Sequence, residues 1–257
     1  VDAATGAASG AAVRADVTVT FEFLKRGHLL FPGRARCGEV VLVPLSGEPD
    51  GGRGDVYLFE KSDAAALLPP RAQDAHKGAG GRALLCVGSE KLTGAALLSC
   101  GAALRAGAGL VTAAVPGEVK SAFSLLPEAM AVPVSPDGEW GEAASLEAAN
   151  LLTGKNAAGI GCGVGEGDVL PLITRALAGR LPLLLDADAL NQLSHRPETL
   201  AGLHENVVLT PHPAEMARLT GEPMERILAD PVETARTYAA RWGCVVLLKG
   251  ATTCVSD

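Results

Sequence analysis

The sequence is poor in aromatic residues, which make up 4% of its 257 residues, and it has no excess of positive charge. The scarcity of aromatic side chains leaves alanine, valine and leucine to build the core. The formal net charge of −7 argues against nucleic acid or an anionic membrane as the main partner. A nucleotide ligand remains open, because backbone N–H groups and a single lysine can hold a phosphate.

Cysteine-based sites and membrane segments also lack support in the sequence. None of the six cysteines form a C-x-x-C pair, which argues against a zinc site or a disulfide framework. Cys86 and Cys244 lie in apolar runs and are interpreted as small buried residues. Residues 1–12 do not resemble a signal peptide, and apolar runs such as residues 181–185 are too short to span a bilayer. We therefore expect a cytoplasmic enzyme.

The chain changes character along its length. Its front holds two short strand-like segments, and residues 47–59 are predicted to form a polar linker. Beyond residue 60, short apolar runs alternate with helical stretches, which indicates a parallel sheet covered by helices on both faces. In such a sheet the ligand lies beyond the carboxyl ends of the strands. The predicted strands are residues 16–21, 38–43, 82–87, 109–115, 129–134, 157–160, 181–185, 206–209 and 244–248, and the predicted helices are residues 94–106, 142–152, 169–178, 215–219 and 232–242.

One glycine-rich segment and one acidic segment follow predicted strands. Residues 161–167 (GCGVGEG) precede a helix, and their glycines would let a phosphate approach the backbone. Their spacing departs from G-x-G-x-x-G, so a plain tight turn is an equally good interpretation. Asp186 and Asp188 end the next strand, and one of them could orient a substrate hydroxyl or hold Mg²⁺ through water. The alternative is that Asp188 caps the following helix.

A histidine and a lysine follow two further strands. His212 lies between two prolines, each of which fixes its own φ, and we expect it to contact a ligand. Glu215 is predicted in the first turn of the next helix, where its charge suits the helix dipole. Lys249 would pair with a nucleotide phosphate, although a solvated lysine at a strand end is the alternative. His28, His195 and His204 have no such setting and are expected at the surface.

Taken together and in this order, the segments resemble the NAD(P)H-hydrate dehydratase family, whose members have a ribokinase-like α/β fold. The resemblance covers about residues 60–257, and several ordered motifs carry it where one alone would not. The matching segments are residues 76–81 (HKGAGG), 93–98 (TGAALL), 103–111 (ALRAGAGLV), the glycine turn at 161–165, 185–191 (LDADALN), 209–215 (LTPHPAE) and 248–252 (LKGAT).

The front of the chain resembles the end of a second domain. Residues 2–6 (DAATG), 11–21 (AAVRADVTVTF) and 38–41 (GEVV) are similar to the last part of the NAD(P)H-hydrate epimerase domain, a Rossmann-like α/β domain that precedes the dehydratase in bifunctional bacterial proteins. Residues 1–46 would be this remnant. The resemblance implies that the epimerase active site lies upstream of Val1, so we expect no epimerase activity from these residues.

The resemblance implies a repair reaction on the S form of hydrated NADH or NADPH. ADP in bacterial members, or ATP in eukaryotic ones, phosphorylates the added hydroxyl with Mg²⁺ present, and loss of phosphate restores the reduced cofactor. Family members often form homo-oligomers. Carried over by position, the substrate contacts are Ala95, one of the glycines Gly161, Gly163 or Gly165, Asn191 and His212, and the nucleotide contacts are Lys77, Lys249, Gly250, Ala251, Thr252 and Thr253. No metal ligand is carried over.

One family motif is missing from these 257 residues. The G-S-G-D segment, whose aspartate is the general base of the family, is expected some tens of residues after Lys249, beyond Asp257. We therefore expect a fragment truncated at both ends, with apolar surface exposed at one side of the sheet. Two other interpretations remain: a ribokinase-like kinase of hydroxymethylpyrimidine or a sugar, and a nucleotide-binding remnant without activity.

Overall fold

The structure, a computed structural model, describes residues 1–45, 54–135 and 138–257. These residues form two compact units, Val1–Ala75 and His76–Asp257. Residues 47–53 of the predicted linker lie outside the described residues. The predicted domain division at residue 60 stays a prediction, because contacts within one chain do not show which family each segment comes from.

The first unit contains a two-stranded parallel sheet. Its two strands, both predicted from the sequence, are paired in register over five residues. Thr20 is buried on the first strand, whereas Val19 is 53% exposed. The elements are β1 (Val17–Phe21), α1 (Arg34–Cys37), β2 (Glu39–Val43) and α2 (Lys61–Leu67).

The second unit, within its described residues, is built around an eight-stranded sheet. Its strands are β3 (Arg82–Cys86), β4 (Leu110–Pro116), β5 (Met130–Ser135), β6 (Ala157–Ile160), β7 (Leu183–Leu185), β8 (Val207–Leu209), β9 (Val245–Leu248) and β10 (Cys254–Ser256). Its helices are α3 (Thr93–Arg105), α4 (Glu142–Asn150), α5 (Leu170–Ala178), α6 (Asp188–His195), α7 (Pro213–Thr220), α8 (Met224–Ala229) and α9 (Pro231–Trp242).

The strand order of this sheet is β10-β9-β8-β7-β6-β3-β4-β5. Neighbouring strands are parallel, except for the antiparallel pair β9 and β10. The predicted α/β fold with a mainly parallel sheet is therefore confirmed. The chain runs outward from β3 to β5 and then returns to the other side of β3 as β6. This reversal brings the loops that follow β3 and β6 together at the carboxyl edge of the sheet.

The two faces of the sheet are buried to different extents. On one face Leu183 and Leu185 of β7 are 2% and 0% exposed. On the other face Leu184 is 41% exposed, although β7 is an interior strand, and Val255 of the edge strand β10 is 61% exposed. Apolar side chains thus remain exposed on this second face, at the β7–β10 side of the sheet.

Some expectations from the sequence are corrected by the structure. His204, expected at the surface, is only 6% exposed, and its Nε2 has no hydrogen-bond partner among the described residues. Its exposed polar neighbours, Glu205 and Asn206, hid this burial from the sequence pattern.

The elements α2, α8 and β10 were not predicted, because each is too short for a clear period. Cys86 and Cys244 are buried as predicted.

No helix within the described ranges combines the length and the hydrophobicity needed to cross a bilayer. The six cysteines are free thiols, and five of them are buried. Burial raises the pKa of the Cys244 thiol to about 12, so this side chain stays protonated at neutral pH.

The two faces of β7 allow a matched test of the core. We expect Leu185→Ala to lower the free energy of unfolding by about 2–5 kcal/mol, because it leaves a cavity in a closed core. The neighbouring change Leu184→Ala should lower it by less than about 1 kcal/mol, because this side chain is already partly in water. Urea unfolding followed by tryptophan fluorescence measures both, since Trp140 and Trp242 lie in the second unit. Equal losses would contradict the assignment of the buried face.

Candidate functional site

The loops that meet at the reversal of strand order enclose a cavity. Its volume is about 260 Å³, and residues 89–92 after β3, 139–140 and 164–167 after β6 line it. The indole N–H of Trp140 donates to the carbonyl of Gly88 at 2.8 Å, which fixes one wall to the β3 loop. A larger, more open depression of about 420 Å³ lies beside α5, but none of the predicted site residues line it. We therefore take the cavity at the carboxyl edge as the candidate site.

The three predicted glycines of the turn after β6 have different surroundings. Gly161, Gly163 and Gly165 have φ values of 121°, 73° and 75°, which disfavour other residues. A Cβ on Gly161 would clash with the backbone oxygen of Asp186, and one on Gly163 would lie 2.6 Å from the Cβ of Ala95. On Gly165 the nearest atom would be 3.8 Å away, and this residue lines the cavity. Gly165 is therefore the glycine whose backbone a ligand can approach.

Helix α6 supports this turn through two side chains. The Oδ2 atom of Asp188 accepts the N–H of Gly165 at 2.8 Å, and Asn191 Nδ2 donates to Asp188 Oδ1 at 3.4 Å. The Oδ1 atom of Asn191 accepts from Arg218 Nε at 3.1 Å. Asp188 is the first residue of α6, but its side chain does not cap the helix. The capping interpretation is therefore replaced by support of the glycine turn.

Lys249 directly follows β9 and lies beside two carboxylates. Its Nζ lies 2.7 Å from Asp186 Oδ1 and 3.8 Å from Glu215 Oε2. The Glu215 side chain is 6% exposed, so its carboxyl group is nearly closed off from water. The Lys249 side chain is 38% exposed, so it can still reach a ligand. The lysine is ion-paired, and the alternative of a freely solvated lysine does not hold.

The protonation states of this cluster follow from its contacts. Burial raises the pKa of the Asp186 carboxyl, but hydrogen bonds from Lys249 and Thr210 outweigh it, so the pKa lies below its ordinary value. Cys162 Sγ lies 3.7 Å from Asp186 Oδ2, and burial raises the pKa of this thiol. At neutral pH an ionised carboxylate therefore faces an ammonium on one side and a protonated thiol on the other.

His212 has a structural role as the N-cap of α7. Its Nδ1 accepts the N–H groups of Ala214 and Glu215 at 3.1 and 3.3 Å. Glu215 Oε2 in return accepts the His212 N–H at 2.7 Å, which places Glu215 in the first helical turn as predicted. Because Nδ1 is an acceptor, the neutral ring carries its proton on Nε2. The side chain is 47% exposed, so its predicted ligand contact remains open as a prediction.

The structure brings most of the predicted nucleotide contacts together, but not Lys77. Residues 250–253 form the turn between β9 and β10 and are mostly exposed next to Lys249. Lys77 lies in the segment that precedes β3. In the same segment, the carbonyl oxygen of Gly80 accepts the N–H of Gly109, which lies just before β4. This segment lies at the amino ends of the parallel strands β3 and β4, opposite the edge that holds Lys249.

Two parts of the cavity were missed by the sequence interpretation. Residues 89–92 follow β3 directly, so the rule that ligands lie at the carboxyl ends of strands could have found them. Trp140 follows β5 along the chain, and no motif marks it. Its role in the cavity depends on a hydrogen bond to Gly88, 52 residues away in sequence.

The glycine turn allows a test of its packing. We expect Gly161→Ala to destabilise the second unit by about 1–3 kcal/mol, because the new Cβ meets backbone atoms and the positive φ is strained. Gly101→Ala in helix α3 is the matched control, since a Cβ there meets nothing within 4 Å. The control should stabilise the unit by about 0.5–1 kcal/mol. Thermal unfolding measures both, and a neutral Gly161→Ala would contradict the close approach.

Comparisons with known proteins all find proteins that act on NAD(P)H hydrates. The sequence model of the NAD(P)H-hydrate dehydratase family matches residues 83–257. The chain is 37% identical over 265 residues to the bifunctional NAD(P)H-hydrate repair enzyme Nnr of Moorella thermoacetica, a match that covers 100% of the chain and 50% of that protein. It is 38% identical over 260 residues to the protein of that name from Mycobacterium tuberculosis, with the same coverage. The chain thus spans about half the length of these curated relatives.

Solved structures are also similar. An ADP/ATP-dependent NAD(P)H-hydrate dehydratase from Bacillus subtilis, co-crystallised with ATP and Mg²⁺, aligns with a TM-score of 0.65 at 30% identity, over 79% of this chain and 69% of that one. A ribokinase-like superfamily protein from Enterococcus faecalis aligns with a TM-score of 0.66 at 24% identity, over 79% and 71% of the two chains, and so supports the fold alone. The family model covers more than half of the chain, and we conclude that the chain belongs to the NAD(P)H-hydrate dehydratase family.

Proposed function

We propose that the second unit serves the nucleotide-dependent dehydration of hydrated NADH and NADPH. The phosphoryl group of ADP or ATP is transferred to the added hydroxyl of the S-form hydrate. Loss of inorganic phosphate and a proton then restores the reduced nicotinamide ring. The observation that carries the proposal is that the partly exposed Lys249 and the cavity lie at the same edge of one sheet. Phosphoryl transfer depends mainly on positioning and on charge stabilisation, which such an edge can provide.

The proposed residue roles divide between the two substrates. The hydrate occupies the cavity beside the Gly165 turn, with Ala95 and His212 as the family resemblance implies. The phosphates of the nucleotide meet Lys249 and the exposed turn at residues 250–253. A lysine ammonium has three N–H donors, so Lys249 can bond Asp186 and still donate to a phosphate oxygen. The site therefore fits a nucleotide phosphate.

In this proposal, Mg²⁺ enters the site with the nucleotide. Such ions are usually held by one or two carboxylates together with substrate phosphates and water. Within the described ranges there is no group of three His, Cys, Asp or Glu side chains that could hold a metal. The carboxylates of Asp186 and Glu215 are directed at Lys249. We therefore assign the ion to the nucleotide phosphates and to no named residue.

The remaining assignments extend the proposal beyond this site. Residues 1–46 are proposed to be the end of an epimerase domain, in line with the bifunctional names of the relatives. We place the repair reaction in the cytoplasm, where NADH and NADPH are in solution. Assembly into a homo-oligomer, implied by the family resemblance, stays a prediction.

Turnover is the direct test of the proposed function. Because these 257 residues contain no G-S-G-D segment, the test compares this chain with the same chain extended at its C-terminus by a segment that carries the family's G-S-G-D motif. S-form hydrated NADH is supplied with ADP and Mg²⁺, and the near-ultraviolet absorbance of reduced nicotinamide is followed. We expect rapid recovery with the extended chain and at least a 100-fold slower rate without it, a loss typical of a missing general base. No recovery with a folded extended chain would overturn the proposal.

Two lysine variants test the location of the nucleotide. We expect Lys249→Met to weaken ADP binding about tenfold or more, because it removes a charged hydrogen bond to phosphate. Lys77→Met is the matched control, since this lysine lies at the opposite edge of the sheet, and ADP affinity should change less than about twofold. Isothermal titration calorimetry with Mg²⁺ measures both. The reverse result would transfer the nucleotide site to the segment before β3.

A further inference from the structure

We infer that Asp186 is a positioning residue for the nucleotide, because it holds the Lys249 ammonium where this group meets the phosphates. The inference deepens the proposed function and rests on it, since it takes Lys249 as the phosphate contact. Asp186 itself does not touch the reacting atoms in this account. It acts through the lysine and through the turn that follows β6.

The carboxylate of Asp186 is held on both of its oxygens. Oδ1 accepts from Lys249 Nζ at 2.7 Å and from the N–H of Ala187 at 2.9 Å. Oδ2 lies 3.7 Å from the Sγ of Cys162, which belongs to the glycine turn. The backbone also turns sharply directly after Asp186, since Ala187 has a φ of 51°. The carboxylate is therefore a fixed point between β7, β9 and the turn.

The ammonium of Lys249 depends on a contact such as Asp186 to hold it in one position. A lysine side chain is flexible, and its point charge does not orient itself. One of its three N–H groups is taken by Asp186, and Glu215 lies 3.8 Å away on the side of helix α7. The main chain of Lys249 is also fixed, since its N–H donates to the carbonyl of Pro211 at 2.8 Å. The two other N–H groups of the ammonium can therefore donate to a ligand at the exposed side of the site.

Two possible roles of Asp186 predict opposite effects of its neutralisation on ADP affinity. If Asp186 were only a negative charge near the phosphates, its neutralisation would remove repulsion and tighten ADP binding. If it positions Lys249, neutralisation releases the ammonium and weakens ADP binding. The direction of the change in affinity therefore separates the two roles.

The experiment is a double-mutant cycle on this chain. The Kd for ADP with Mg²⁺ is measured by isothermal titration calorimetry for the unchanged chain, Asp186→Asn, Lys249→Met and the double variant. We expect Asp186→Asn to raise Kd about tenfold alone and less than about twofold in the Lys249→Met background. Glu205→Gln is the charge-matched control, because it removes one carboxylate from an exposed pair with Arg180 and should leave Kd unchanged. Melting temperatures are recorded for every variant.

Each outcome decides a different claim. An unchanged or lower Kd for Asp186→Asn, or an equal loss in both backgrounds, overturns the positioning role and leaves the proposed function intact. If the unchanged chain does not bind ADP, both the inference and the proposed nucleotide site fail. If Asp186→Asn does not fold, Asp186→Glu replaces it, because it keeps the charge and displaces it by one methylene. We expect a raised Kd for that variant, and an unchanged one would overturn the inference.

Discussion

The common direction of strands β3 to β9 is the constraint on which the candidate site depends. Parallel strands end at one edge, so side chains that follow different strands meet there whatever their distance along the chain. Lys249 bonds Asp186 although 63 residues separate them. The reversal of strand order between β3 and β6 adds the cavity, because the loops that follow these two neighbouring strands line it.

Charge at this edge is organised differently from charge at the surface. The pair of Arg180 and Glu205 has side chains that are 61% and 67% exposed, and water screens such surface pairs so that they contribute little to stability. Glu215, in contrast, is nearly closed off from water and is held by the N–H of His212 and by Lys249. Glu215 and Asp186 therefore both lie next to the Lys249 ammonium, whose side chain is 38% exposed.

The sequence predicted the seven parallel strands of this sheet, β3 to β9, because buried parallel strands are short apolar runs bounded by polar loops. It also predicted that Asp186, His212 and Lys249 lie at the carboxyl edge of the sheet, since each follows such a run. It could not assign partners: Asp188 supports a glycine 23 residues earlier, and Gly161 and Gly165 share a motif but differ in what surrounds them. Those facts depend on tertiary packing, which a local pattern does not contain.

We propose that Lys249 and the β9–β10 turn bind the nucleotide phosphates, and the similar dehydratase from Bacillus subtilis was co-crystallised with ATP and Mg²⁺. The most direct measurement is a crystal structure of this chain grown with ADP and Mg²⁺. Our account predicts phosphate oxygens within hydrogen-bonding distance of Lys249 Nζ and of residues 250–253, with Asp186 still bonded to the lysine. A nucleotide bound at the amino ends of β3 and β4, near Lys77, would contradict it.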